Sequence, residues 1–62
     1  MLIHFVGTGD TAIHEEIMME HPPEIGWYVK FYGETMEVTS VMLVLQNGQN
    51  PFYRVALERI GD

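Results

Sequence analysis

The sequence contains no cysteine and only three basic residues. The absence of cysteine excludes disulfide bonds and thiolate metal sites, and a thiol-based redox function with them. Lys30, Arg54 and Arg59 stand against nine acidic residues, which gives a net charge of −6. Duplex nucleic acid is therefore an unfavourable ligand, because neutralising its phosphates requires clustered cations.

Long apolar segments are also missing. No apolar run approaches the roughly 18 residues of a membrane span, and the first ten residues lack the basic and apolar regions of a signal peptide. We therefore expect a cytoplasmic protein without a membrane partner. With 62 residues the chain is expected to form one small domain, residues 1–62, with a marginal core. Because neither disulfides nor a metal can stabilise that core, we predict a homo-oligomer.

The remaining apolar segments are short and separated by glycine, proline and asparagine. The predicted strands are residues 2–6, 11–20, 27–32, 35–45 and 52–60. Alternation places Trp27, Val29 and Phe31 on the buried face of the third strand, which ends in a predicted tight turn at residues 33–34. In the same way Met36 and Val38 alternate with polar residues in the fourth strand, and Tyr53, Val55 and Leu57 are predicted to face inward in the last. The end of the fourth strand, residues 41–45, is apolar at every position, which predicts burial on both faces.

Residues 11–20, TAIHEEIMME, fit either a strand or a short helix. Ile13 and Ile17 are four residues apart, as on one helix face, but Ile13, Glu15 and Ile17 also alternate as in a strand. The preceding Gly7-Thr8-Gly9-Asp10 would close a hairpin, which favours the strand. We predict an all-β protein, a five-stranded antiparallel meander curled into a small SH3-like barrel, with a helix at 11–20 as the alternative.

The third strand carries the candidate binding site. Tyr28, Lys30 and Tyr32 alternate along it, so they are predicted to share its outer face, and Arg54 on the last strand could join them. Aromatic rings and cations together can stack on bases and hold phosphates, or can anchor a protein interface. The same face could instead pack against a second subunit.

No catalytic, cofactor or metal site is predicted. The expected register of the first hairpin places His4 and His14 on opposite faces, where they could not share an ion. Carboxylates do acid–base work from a cleft, and so small a barrel has little volume for one. We therefore expect that the protein is not an enzyme and uses no cofactor.

One motif resembles a known group of proteins. His21, Pro22, Pro23, Ile25 and Gly26 match a His-Pro-Pro-x-Ile/Val-Gly motif, and Arg54-Val55 match the final strand of the same group. Over residues 20–45 and 50–60 the chain resembles small proteins of unknown function encoded by phages and prophages. Met36 departs from the group, in which tyrosine is usual there. The resemblance implies an accessory protein in the cytoplasm of an infected bacterial host, and it implies no activity.

Three functions are compatible with these features. The first is a non-enzymatic binding module, such as an anti-defence inhibitor of a host immune protein, which the acidic balance and the Tyr and Met residues favour. The second is an oligomeric sponge that sequesters a small nucleotide signal on Tyr28, Lys30, Tyr32 and Arg54. The third is an acidic mimic of nucleic acid. That mimic requires one shared face for Glu15, Glu16, Glu20, Glu24, Glu34 and Glu37.

Overall fold

The computed structural model describes residues 1–9 and 12–60 of the chain. Its strands are β1 (Leu2–Gly7), β2 (His14–Met18), β3 (Tyr28–Phe31), β4 (Glu34–Val44) and β5 (Phe52–Arg59). The segment that fits both a strand and a helix therefore contains a strand, β2. Asp10 of the predicted hairpin turn and Thr11 of the predicted second strand lie outside the described residues. In the described part of the chain no helix is long and apolar enough to cross a membrane.

The five strands form one sheet that curls into a half-barrel, consistent with a small SH3-like barrel. The strand order is β2-β1-β5-β4-β3, so β2 and β3 are the edges of the sheet. Neighbouring strands pair antiparallel except β1 and β5, which pair in parallel. The predicted all-β class is confirmed, and the strictly antiparallel meander is corrected at this pair.

The parallel pair has a physical reason in the position of the core. Ile3 and Phe5 on β1 and Val55 and Leu57 on β5 are all buried, so placing these strands side by side puts their apolar faces at the centre of the sheet. Among the described residues, the hydrophobic core cluster consists of Ile3, Phe5, Ile13, Met36, Val38, Val55 and Leu57. They line the concave face, as the alternation in the last strand predicts.

Trp27 does not join this core, contrary to the prediction. Its side chain is 48% exposed. The third strand begins only at Tyr28, and Trp27 belongs to the turn that leads into it. Its backbone still bonds to β4, because the Val38 N–H donates to the Trp27 carbonyl at 2.8 Å. The strand pattern therefore predicted correctly that the Trp27 backbone bonds to the sheet, and wrongly that its side chain is buried.

A β-bulge interrupts the alternation along β4. Val38 pairs with Leu57 of β5, and Ser40 pairs with Ala56, which is adjacent to Leu57 on the same strand. Thr39, between them on β4, therefore has no partner of its own in the ladder. The Thr39 hydroxyl donates to the Ala56 carbonyl at 3.3 Å. Before the bulge the buried residues of β4, Met36 and Val38, are at even positions. After the bulge the residues that face the core, such as Val41, are at odd positions. No single alternation therefore runs through β4.

Residues 41–45 are not covered on both faces, so that prediction is wrong for one copy of the chain. Met42, Leu43 and Leu45 are exposed, while Val41 and Val44 are half-buried. The reason is that β3 is short and pairs with β4 only over its first four residues, Glu34–Glu37. Beyond Val38 no described strand lies on that side of β4.

The β3–β4 hairpin turns at Tyr32 and Gly33, one residue earlier than predicted. Phe31 pairs with Glu34, so the loop has two residues, and their φ angles are 53° and 82°. Two positive φ values define a type I′ turn, whose twist matches that of the flanking strands. The left-handed region is uncommon for residues other than glycine, so a tyrosine at this position of the turn is unusual.

Candidate functional site

The candidate sites in the described part of the chain lie on exposed surfaces. Over residues 1–9 and 12–60 the structure has no pocket and no group of three or more His, Asp or Glu side chains placed to hold a metal ion. The candidate surfaces in this part of the chain are exposed side chains and exposed strand backbone.

The structure brings two of the four predicted binding residues together. Tyr28 and Lys30 lie on the same face of β3, as predicted. Tyr32 lies beyond the end of β3, in the hairpin turn. Arg54 lies on β5, two strands away, opposite Met42 of β4. Within one copy of the chain the four side chains therefore do not form one cluster.

Tyr32 is engaged in closing the half-barrel. Its hydroxyl donates a hydrogen bond to Glu15 Oε2 on β2, the opposite edge strand of the sheet. Beside this bond the rings of Phe5 and Phe31 meet edge to face, with their centroids 5.3 Å apart. We call these four residues the clasp. The hydrogen bond between Tyr32 and Glu15 connects two edges of the sheet that share no backbone ladder.

The clasp also changes the protonation of Tyr32. The hydrogen bond to the Glu15 carboxylate raises the pKa of the Tyr32 hydroxyl, and the negative charge of Glu15 and a small loss of solvent raise it further. The carboxylate favours the protonated phenol because only that form can donate the bond, whereas a phenolate would repel it.

His4 and His14 lie on the same face of the sheet, contrary to the predicted register. His4 pairs with Glu16, and His14 is two residues from Glu16 on the same strand. The connection between β1 and β2 spans residues 8–13 rather than four residues, which shifts the pairing. The His4 ring stacks on Phe52 at 4.0 Å, and its Nε2 lies 3.7 Å from the Glu16 carboxylate. The His4 ring is thus part of the packing of the convex face.

An exposed apolar surface lies where the chain enters β3. Ile25, Trp27 and Tyr28 are 66%, 48% and 66% exposed. The Trp27 N–H donates to the Glu24 carbonyl at 3.1 Å, and Gly26 has a φ of 95°, as the third residue of a type II turn requires. We call Ile25, Trp27 and Tyr28 the aromatic edge, because they follow one another at the free edge of the sheet.

Sequence reasoning identified Tyr28 but missed Ile25 and Trp27 as surface residues. The available signal was Gly26, since a glycine that turns the chain immediately before a strand leaves the flanking side chains at the sheet boundary. A side chain at the boundary of an edge strand has no neighbour on one side. The aromatic edge therefore extends the predicted site towards the turn rather than towards Tyr32 and Arg54.

Carboxylates flank the aromatic edge. Tyr28 lies opposite Glu37 on β4, and Glu37 lies opposite Glu58 on β5, so two acids face each other in adjacent strands. Like charges at directly opposite positions destabilise a sheet. Glu24 adds a further acid in the turn before Ile25. The facing pair Glu37 and Glu58 therefore costs the fold some stability and places negative charge close to Tyr28.

The glutamates named for the nucleic-acid mimic do not share one face. Glu15 lies opposite Phe5, on the concave side, whereas the adjacent Glu16 lies on the convex side. Glu34 accepts a hydrogen bond from Arg59 at 3.4 Å, and the ion pair that they form has a closest contact of 3.3 Å. In the described residues the acids are therefore divided between the two sides of the sheet.

The second half of β4 is a separate exposed apolar surface. Met42, Leu43 and Leu45 are 57%, 49% and 72% exposed. Along this segment β4 pairs with β5 on one side, and no described strand occupies the other side. We call residues 40–45 the open edge.

Comparisons with protein-family models, with curated proteins and with solved structures find no match for this chain. The aromatic edge, the open edge and the charges around them are therefore the features on which a functional assignment depends.

Proposed function

We propose that this protein is a non-enzymatic binding module that attaches to a partner protein through the aromatic edge. The exposure of Ile25, Trp27 and Tyr28 within four consecutive residues carries the proposal. Trp and Tyr are enriched among the residues that dominate binding energy at interfaces, because they bury a large area with few rotatable bonds. The described residues bury seven apolar side chains and leave eleven large ones exposed, an imbalance that favours association.

The charges around the aromatic edge indicate what kind of surface it fits. Glu24 precedes Ile25 in the chain, Glu37 lies opposite Tyr28 and Glu58 lies opposite Glu37, and the whole chain carries a net charge of −6. A complementary partner has an apolar pocket bordered by lysine and arginine. Such complementarity accelerates association and selects the partner, and it weakens as salt screens the charges.

The proposed partner class is a host immune protein of an infected bacterium. The resemblance of His21–Gly26 and of Arg54-Val55 to small phage and prophage proteins supports this context. In this proposal the protein acts in the host cytoplasm and inhibits its partner by covering the basic surface that the partner uses for its own ligand. The absence of a pocket in the described residues is compatible with inhibition by surface contact.

A salt-controlled capture experiment tests the proposal. The protein, Trp27→Ala and the matched variant Met18→Ala are immobilised and exposed to host lysate at low and high salt. Met18 is 71% exposed on β2, away from the aromatic edge. We expect the protein and Met18→Ala to retain the same host protein at low salt, and Trp27→Ala to lose it. Retention of nothing at any salt, or equal retention by Trp27→Ala, would contradict the proposal.

A ligand screen separates the binding module from the nucleotide sponge. A sponge would have to combine Tyr28 and Lys30 of one copy with Arg54 of another, since one copy keeps them apart. Thermal-shift measurements with cyclic dinucleotides and ADP-ribose derivatives report such binding directly. We expect no shift. A rise of several degrees at modest ligand excess, abolished by Lys30→Ala, would replace the binding module by the sponge.

A further inference from the structure

We infer that the open edge, which is residues 40–44 of β4 and the adjoining Leu45, pairs antiparallel with the same segment of a second copy, so that the two sheets join into one. A strand whose outer side has no neighbour presents a row of N–H and C=O groups ready to pair with another strand. The second half of β4 is such a strand, because β3 pairs only with Glu34–Glu37.

The open edge lacks the features that normally protect a sheet edge from pairing. Natural edges are blocked by charged side chains, proline or very short strands. Residues 38–53 include no Asp, Glu, Lys or Arg, and the proline at 51 lies in the loop beyond the edge. By contrast, β2 carries Glu15 and Glu16, and β3 carries Lys30. The chain thus protects its two terminal edges and leaves the second half of β4 available.

The side chains of the open edge are those of a strand covered on both faces. Val41 and Leu43 face the concave side and Met42 and Val44 the convex side, and Met42 and Leu43 are about half exposed in one copy. A continuous apolar run is typical of strands inside a sheet with both faces packed. A second copy supplies the missing strand and extends both apolar faces across the join.

The exposed area agrees with a dimer. If each side chain is given roughly 200 Å², the area of an aromatic residue and so an upper bound here, the exposed fractions of Met42, Leu43 and Leu45 give at most about 350 Å² per copy. Two copies therefore contribute at most about 700 Å² before Val41, Val44 and the strand backbone are counted, against roughly 1,000 Å² for a specific interface. These three side chains alone fall short of that figure, so the contact must also bury Val41, Val44 and the strand backbone.

The charge distribution selects the same surface. Two copies of a chain with a net charge of −6 repel one another. They meet most favourably where neither carries charge, and residues 38–53 are the longest uncharged segment of the sequence. Because the contact uses one segment twice, it is symmetric, with a twofold axis through the open edge.

Sedimentation equilibrium of two charge variants tests the inference. Leu43→Glu places like charges beside each other across the twofold axis, whereas Met18→Glu adds the same charge at an exposed apolar position on β2. We expect the protein and Met18→Glu to have twice the 7.1 kDa monomer mass. Leu43→Glu should weaken the dimer at least tenfold, with an unchanged circular dichroism spectrum.

A mixing experiment distinguishes a specific contact from general damage. Leu43→Lys should also be monomeric, and an equimolar mixture of Leu43→Lys and Leu43→Glu should recover the dimer, because opposite charges then meet at the axis. A monomeric unmodified protein at millimolar concentration would overturn the inference. So would a dimer that survives Leu43→Glu, or one that Met18→Glu dissociates.

Cross-linking provides a second readout that does not depend on a charge variant remaining folded. The chain has no cysteine, so single cysteines at positions 40–45 can be oxidised without interference. Antiparallel pairing about a twofold axis brings only one or two positions within the Cβ distance of a disulfide, about 3.8 Å. We expect a sharp maximum of covalent dimer within 40–45 and little at Met18→Cys. Equal yields along the segment would contradict the pairing.

This inference is independent of the aromatic edge. Trp27→Ala should lose the host partner and remain dimeric, since Trp27 lies on the β3 side of the hairpin and outside the open edge. Loss of the dimer in Trp27→Ala would show that the aromatic edge is the self-association surface, and it would overturn the assignment of that role to residues 40–45.

Discussion

Replacing Leu57 by alanine should remove a large part of the stability of this fold. Leu57 is 0% exposed, and it lies between Gly7 of β1 and Val38 of β4 in the middle of the sheet. Truncating a fully buried leucine costs about 3 kcal/mol, from lost burial and from the cavity that remains. At about 0.05–0.15 kcal/mol per residue, a chain of 62 residues has a stability of about 3–9 kcal/mol. Leu57→Ala is therefore expected to lose between about a third and all of the stability of the fold.

Urea unfolding followed by circular dichroism measures this change. The matched variant is Leu45→Ala, in which the same side chain is 72% exposed. We expect Leu45→Ala to change the free energy of unfolding by less than about 0.5 kcal/mol at concentrations low enough to keep the protein monomeric. A loss below about 1 kcal/mol for Leu57→Ala, or equal losses for both variants, would refute the description of a core centred on β1, β4 and β5.

Three further predictions concern the β3–β4 hairpin. Tyr32→Phe should lower the melting temperature at pH 7 but not at the highest pH. The pKa of the Tyr32 hydroxyl is raised in the folded protein, so its bond to Glu15 stabilises the fold below the usual tyrosine pKa of about 10. That contribution is lost as the pH rises through the raised pKa. A pH-independent difference from the unmodified protein would contradict the clasp. Gly33→Ala, at a φ of 82°, should cost about 1 kcal/mol in urea unfolding, and a neutral result would argue against the type I′ turn. Glu34→Gln should cost less than about 1 kcal/mol, because its ion pair with Arg59 is about half exposed, and a larger loss would show a stronger role for the pair.

The individual strands could be predicted because residues that face the core alternate with polar residues within each strand. Alternation along β5 identified Tyr53, Val55 and Leu57 as facing the core, and alternation in the first half of β4 identified Met36 and Val38. The parallel pairing of β1 with β5 could not be predicted from such alternation, since it joins segments that are far apart in the chain. Strand content is thus a local property, whereas strand order is set by the packing of the whole sheet.

The candidate site could likewise be predicted only where its residues lie on one strand. Parity along one strand placed Tyr28 and Lys30 on a common face, which the structure shows. It could not place Tyr32, because a two-residue turn removes that residue from the strand, and its contact with Glu15 joins residues 17 positions apart. The separation of Arg54 from Tyr28 and Lys30 follows from the order of the strands in the sheet, which alternation does not determine.

The apolar run at 41–45 is informative in a different manner. Its composition predicts burial on both faces, whereas one copy of the chain covers neither face fully. The bulge at Thr39 and the short β3 explain this exposure within the fold. A sequence pattern that demands more burial than the fold provides is the expected signature of an interface, and here it coincides with the unpaired part of an edge.

Native mass spectrometry of the freshly purified protein tests the central claim most directly, which is that this chain functions by surface association and encloses no ligand. The account predicts a species of twice 7.1 kDa, without a retained small molecule or metal ion. A 7.1 kDa monomer that carries a bound cofactor, metabolite or metal would contradict it.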